Sequence, residues 1–119
     1  DIGTAVCNLE KNEIKDENIV KAKVNLIQNE GYAIDFNRKI KSIRNQYHHI
    51  GIYAFRTNVL RKIINHNQTK NEINRKLEQM RALDNGYKIK VFKIGYNPPS
   101  VDTLDDLMKI RLIFKKNNF

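Results

Sequence analysis

The chain has 119 residues, with 22 Lys and Arg against 13 Asp and Glu, a formal net charge of +9 and 40% hydrophobic content. That composition suits one domain with an ordinary core and excludes wholesale disorder. It also lacks an apolar run of the ~20 residues that cross a membrane, a signal-peptide pattern at its start, and any partner for its single Cys7, so a reducing, cytoplasmic setting is expected.

The basic excess raises nucleic acid as a partner, but Lys and Arg are scattered and do not interleave with aromatic rings as stacking platforms require. Asn and Ile occur 16 times each and Lys 15 times, a bias that points to drift in an AT-rich genome and makes a solvated basic surface the plainer reading.

Asp1 to Leu9 alternates weakly and is expected to form a strand, followed by a polar loop from Glu10 to Asn18. From Ile19 to Ile27, Val20, Ala22, Val24 and Leu26 share one face, while Lys21, Lys23 and Asn25 share the other, as in a half-buried strand. A turn at residues 28–31, with Gly31 supplying a positive φ, leads into Tyr32–Phe36 as an antiparallel partner. In the basic stretch that follows, Arg38 and Arg44 carry guanidinium forks that match carboxylate and phosphate oxygens, although most surface arginines bind neither.

The run from Tyr47 to Phe55 reads as the central strand. His48, Ile50, Ile52 and Ala54 fall on one mostly apolar face, and His49, Gly51, Tyr53 and Phe55 on the other. At ~3.3 Å per residue, His49 and Tyr53 stand ~13 Å apart across the gap left by Gly51, room enough for a small polar ligand. The plainer reading makes Gly51 a bulge or a close backbone approach, with His49 and Tyr53 as satisfied core residues.

Thr57 is placed to cap a helix reaching Asn65, with Val59, Leu60, Ile63 and Ile64 as its apolar stripe. Thr69 and Glu72 have capping-box spacing for a second helix, whose stripe is Ile73, Leu77, Met80 and Leu83 and which Gly86 ends. Glu78 and Gln79 border that stripe: a solvated pair, or an acceptor and an amide for a sugar hydroxyl or carboxylate. Tyr87 to Ile94 reads as a strand, residues 95–99 as a rigid loop, and Thr103 with Asp106 as the capping box of a last helix packed through Leu107, Ile110 and Phe114. Asp102 is either a helix-start residue or a magnesium ligand, since that ion takes one or two carboxylates beside phosphate oxygens and water.

Three stretches, HHIGIYAFR (48–56), KLEQMRALDNGYKIKV (76–91) and PSVDTLDDLMKIR (99–111), together resemble the C-terminal half of the 3-deoxy-manno-octulosonate cytidylyltransferases, or CMP-Kdo synthetases. DIGTAVC (1–7) and GYAIDFNR (31–38) are similar to the same family more weakly. The resemblance implies an α/β fold: the C-terminal half of a nucleotide-diphospho-sugar transferase-like, Rossmann-like domain, with a mixed sheet, a β-hairpin and about three helices. It implies one partial domain over 1–119, with the nucleotide-binding half absent.

The activity implied is attack of the Kdo anomeric hydroxyl on the α-phosphate of CTP, giving CMP-Kdo and pyrophosphate for lipopolysaccharide biosynthesis. His49, Tyr53, Glu78, Gln79 and Arg38 would contact Kdo, and Asp102 would hold Mg²⁺. The five glycines are isolated, so no phosphate-cradling loop for CTP is visible. The chain also departs from the family pattern at Lys41-Ser42, Arg75 and Leu104. As partners the resemblance implies CTP and Kdo, and either a second copy or a polypeptide carrying the other half. An inactive, self-associating remnant and a basic nucleic-acid-binding module are the competing readings.

Overall fold

The computed structural model describes residues 1–117. Its strands are β1 (Ile2–Cys7), β2 (Lys21–Val24), β3 (Glu30–Asn37), β4 (Gln46–Phe55) and β5 (Ile89–Lys93), and its helices α1 (Thr57–Ile63), α2 (Lys70–Arg75), α3 (Gln79–Asp84) and α4 (Leu104–Lys116). The strands close into a barrel in the order β1-β4-β2-β3-β5. All pairings are antiparallel except that of β1 with β5, so the sheet is mixed, as expected. Inside lie Ile2 and Val6 of β1, Ala22 and Val24 of β2, Phe36 of β3, and Ile89 and Val91 of β5. Val59 and Ile63 of α1, with Leu77, Met80 and Ala82 around α3, complete the same apolar cluster. Among the described residues no helix is long and apolar enough to cross a membrane.

The β2–β3 hairpin forms as its alternation requires, but its turn differs from expectation. Ile27 and Glu30 exchange backbone hydrogen bonds of 2.9 and 3.2 Å, and the positive φ angles belong to Gln28 (51°) and Asn29 (65°). This is the two-residue turn whose twist matches the flanking strands. Gly31 lies inside β3 for a different reason: a Cβ there would collide with the Asn25 carbonyl oxygen and come within 2.9 Å of Val24 Cγ2. Gly31→Ala is therefore expected to destabilise the chain by about 2 kcal/mol through overpacking, read as a shift in urea midpoint at unchanged m-value.

Lys21, expected on a solvated face, is fully buried. Its ammonium donates to the carbonyls of Asp16 and Arg38, the latter at 2.8 Å, so it ties two loops across the outside of β2. Burial lowers its pKa, countered chiefly by Asp16. The single helix expected from Thr69 breaks into α2 and α3 at Lys76, which takes a left-handed conformation (φ 55°, ψ 49°). The break exchanges two neighbours: Ile73 of the expected stripe is 57% exposed, and Glu72 is buried against Arg81 of α3. Both expected capping boxes, Thr69 with Glu72 and Thr103 with Asp106, are present. On α4, Leu107 and Ile110 are half-buried, whereas Phe114 is exposed.

Candidate functional site

The site begins with a bulge in β4. Register with β1 runs Ile2 to Phe55, Gly3 to Ala54 and Thr4 to Tyr53, then jumps to Ala5 opposite Ile50, leaving Gly51 and Ile52 unmatched. The Thr4 hydroxyl fills the irregularity, donating to the Ile52 carbonyl at 2.8 Å and standing 2.9 Å from His49 Nε2. In consequence His49 and Tyr53 do not face each other across an empty gap. Their ring centroids lie 5.5 Å apart, with the Phe36 centroid 5.0 Å from that of His49 and the Phe55 centroid 5.8 Å from that of Tyr53. His49 is buried and Tyr53 half-buried, whereas Ile52 of the apolar-looking face is 63% exposed.

Beside this aromatic cluster opens a cavity of about 730 Å³. Its polar lining comes from His49 and Tyr53 of β4 and from the α2–α3 elbow, which brings Glu78 and Gln79 to the same space. Gly51 also lines it, and a Cβ there would meet nothing within 4 Å, so the glycine leaves open room on the cavity side. The apolar wall includes Leu60, Ile63, Ile64 and Leu77, which explains why Leu60 and Ile64 remain accessible despite belonging to the α1 stripe.

Burial, reinforced by the neighbouring His48, pushes the His49 pKa down to about 4, so the imidazole is neutral at pH 7. Burial, then the Glu78 carboxylate, pushes the Tyr53 phenol well above its usual range and keeps its hydroxyl a donor. The cavity thus offers a phenol donor, a carboxylate acceptor, an amide with both capacities and a neutral imidazole, a set suited to a polyhydroxylated ligand.

No family model matches the chain. The 3-deoxy-manno-octulosonate cytidylyltransferase of Bartonella tribocorum is 39% identical over 88% of the chain and 44% of its own length. That of Chlorobium phaeobacteroides is 34% identical over 87% and 43%, and the mitochondrial enzyme of Arabidopsis thaliana 33% over 97% and 42%. A solved structure of CMP:2-keto-3-deoxy-manno-octonic acid synthetase complexed with CTP superposes with a TM-score of 0.85 at 30% identity, covering 98% of this chain and 49% of that one. Over this stretch the chain is similar in sequence and in fold to the 3-deoxy-manno-octulosonate cytidylyltransferases. It spans less than half the length of these curated relatives, a coverage that fits the C-terminal half to which its motifs point.

Not every residue singled out for the cytidylyltransferase resemblance meets at the cavity. The Arg38 guanidinium donates to the carbonyls of Glu17 (3.1 Å), Asn18 (3.3 Å), Arg75 (3.3 Å) and Lys76 (3.4 Å), stitching the loop before β2 to the elbow after α2. It does not line the cavity. Arg44 lies with Lys23, Lys39 and Lys41 along a second, basic cleft. Asp102 is exposed ahead of α4; among the described residues its carboxylate is touched only by the Ser100 hydroxyl at 3.4 Å, and its backbone N–H donates to Asp106. Among the described residues no three His, Cys, Asp or Glu side chains gather to hold a metal ion.

Three residues of the site escaped the sequence reading. Lys76 and Arg81 bring cations to the cavity, and Thr4 sets the ring of His49. Arg81 lies one helical turn beyond Glu78 and was legible by spacing. Thr4 had a fainter signal: a lone hydroxyl on the strand face it shares with the buried Ile2 and Val6.

Proposed function

We propose that the chain is the sugar-acid half of a cytidylyltransferase that joins Kdo to CTP, giving CMP-Kdo and pyrophosphate, as a step of lipopolysaccharide synthesis in the cytoplasm. The observation that carries this reading is the meeting of His49, Tyr53, Glu78 and Gln79 in one cavity of a chain that matches these enzymes in sequence and fold. The Tyr53 hydroxyl and Gln79 amide donate to oxygens of the sugar acid, the Glu78 carboxylate accepts from its hydroxyls, and Lys76 brings a cation for its carboxylate, Arg81 being engaged by Glu72. Held this way, the anomeric hydroxyl is oriented toward a nucleotide bound by the other half, and positioning carries most of the catalysis.

Asp102, exposed ahead of α4, would hold magnesium as a single carboxylate of a site shared with the nucleotide and the companion half. Bound there, the ion would supply neutralisation of charge on the phosphates. Further support for a companion polypeptide comes from apolar side chains left in solvent, among them Ile52 (63% exposed), Leu104 (79%) and Met108 (64%). A homodimer is the other assembly these surfaces suit.

The test mixes the chain with a polypeptide equivalent to the other half of its relatives, supplies CTP, Kdo and Mg²⁺, and follows CMP-Kdo and pyrophosphate. Turnover is expected only with both polypeptides, and His49→Ala and Tyr53→Phe should each raise KM for Kdo about tenfold. Absence of turnover with a folded, bound companion would overturn the reading. It would leave a self-associating remnant, recognisable by light scattering.

A further inference from the structure

The Thr4 hydroxyl has one proton, and the geometry directs it to the Ile52 carbonyl at 2.8 Å; the Ile50 carbonyl, at 3.4 Å, is a poorer acceptor. Toward His49 Nε2, 2.9 Å away, the same oxygen is left with its lone pairs. Nε2 must then carry the imidazole proton and donate it to Thr4. A neutral ring has only one such proton, so Nδ1 is bare and is an acceptor.

Among the described residues Nδ1 has no hydrogen-bond partner, and no buried side-chain nitrogen or oxygen lacks one. Nδ1 is therefore reached by solvent, and the cavity that His49 lines is where that solvent lies. Phe36, T-shaped to the ring with centroids 5.0 Å apart, and Tyr53, with centroids 5.5 Å apart, restrict rotation that would exchange the two nitrogens.

We propose that Thr4 is a positioning residue: it fixes His49 in the Nε2–H tautomer, so that Nδ1 faces the cavity as an acceptor for a hydroxyl of the bound sugar acid. The tautomer assignment stands on the Thr4 geometry alone; the ligand assignment rests on the function proposed above. The consequence is specificity. A ligand with a hydroxyl at that point donates to Nδ1, and one with only an acceptor there meets an opposing lone pair.

Long-range ¹H–¹⁵N NMR of the ring tests the first part on the chain by itself. In the wild type at pH 7, Nε2 should be the protonated, pyrrole-type nitrogen and Nδ1 the bare, pyridine-type one. Thr4→Ser, which keeps the hydroxyl, should preserve that pattern. Thr4→Val, which matches the shape without the oxygen, should give a mixture of tautomers.

A wild-type spectrum with the proton on Nδ1 overturns the proposal, and that reading stands even if Thr4→Val does not fold. An unchanged pattern in folded Thr4→Val overturns it equally. In the reconstituted enzyme, Thr4→Val should raise KM for Kdo about tenfold at nearly constant kcat, with Thr4→Ser restoring it. The expected tautomer with no change in KM would sink the ligand assignment alone. No turnover in any variant would point instead to failure of the functional reading.

Discussion

Glu72→Ala is expected to destabilise the chain by about 3 kcal/mol, the cost of leaving a buried ionic network without its anion. Glu72 is 3% exposed. Its carboxylate receives Arg81 Nε at 2.9 Å and Nη2 at 2.5 Å, the Gln68 amide at 3.4 Å and the Thr69 N–H at 3.3 Å. One side chain thus closes the capping box that starts α2 and holds α3 across the left-handed break at Lys76.

The Arg81 hydrogen bond holds the carboxyl below its ordinary value, against the opposing effect of burial. Because the folded pKa is depressed, this stabilisation is present above the usual carboxylate range and is lost as pH falls through it. Urea unfolding followed by circular dichroism gives the magnitude. Arg81→Met together with Glu72→Ala separates the pair from the cap, since the double variant should recover part of the loss while the missing cap should not be recovered. A Glu72→Ala midpoint within error of wild type would remove Glu72 as the fastener of the elbow. The elbow also carries Lys76, Glu78 and Gln79 into the cavity, so the same variant should weaken ligand binding without touching the ligand.

What could be read from the sequence was what local spacing determines. The β2–β3 hairpin and the two capping boxes depend on residues two to four positions apart, and all three formed. Tyr53, Glu78 and Gln79 were legible through motifs, and the cavity gathers them with His49. Illegible features were set by distant neighbours. Thr4 and His49 are 45 positions apart, and their contact at the β4 bulge brings the two rings together where an ideal strand would separate them. Gly31 owes its identity to the Asn25 carbonyl rather than to a turn, and Lys21 its burial to the Asp16 and Arg38 carbonyls. Glu72 and Ile73 exchanged surroundings because one residue, Lys76, left the helix. None of these follows from periodicity, which records which face a residue shares and not what later packs on it.

His49 should make stability fall steeply in mild acid. Its pKa drops from 6.5 in the unfolded chain to about 4 in the fold, because burial and the adjacent His48 both oppose a positive ring. Between those values the unfolded chain binds a proton that the folded chain refuses, so unfolding becomes easier as pH decreases. The stabilisation is complete above 6.5, declines from there to about 4, and this group contributes no further change below. At about 1.4 kcal/mol per pH unit the full loss is about 3 kcal/mol, a large fraction of what a small domain possesses.

His49→Gln, which keeps a hydrogen-bond donor but cannot titrate, should flatten that part of the curve. The comparison belongs between pH 7 and 5, above the range where Glu72 contributes. Urea midpoints of the two proteins should converge as the pH is lowered across this interval. Parallel curves would mean that the folded imidazole accepts its proton near the ordinary value, and the cavity would then present a cation in acid where a bare Nδ1 is expected.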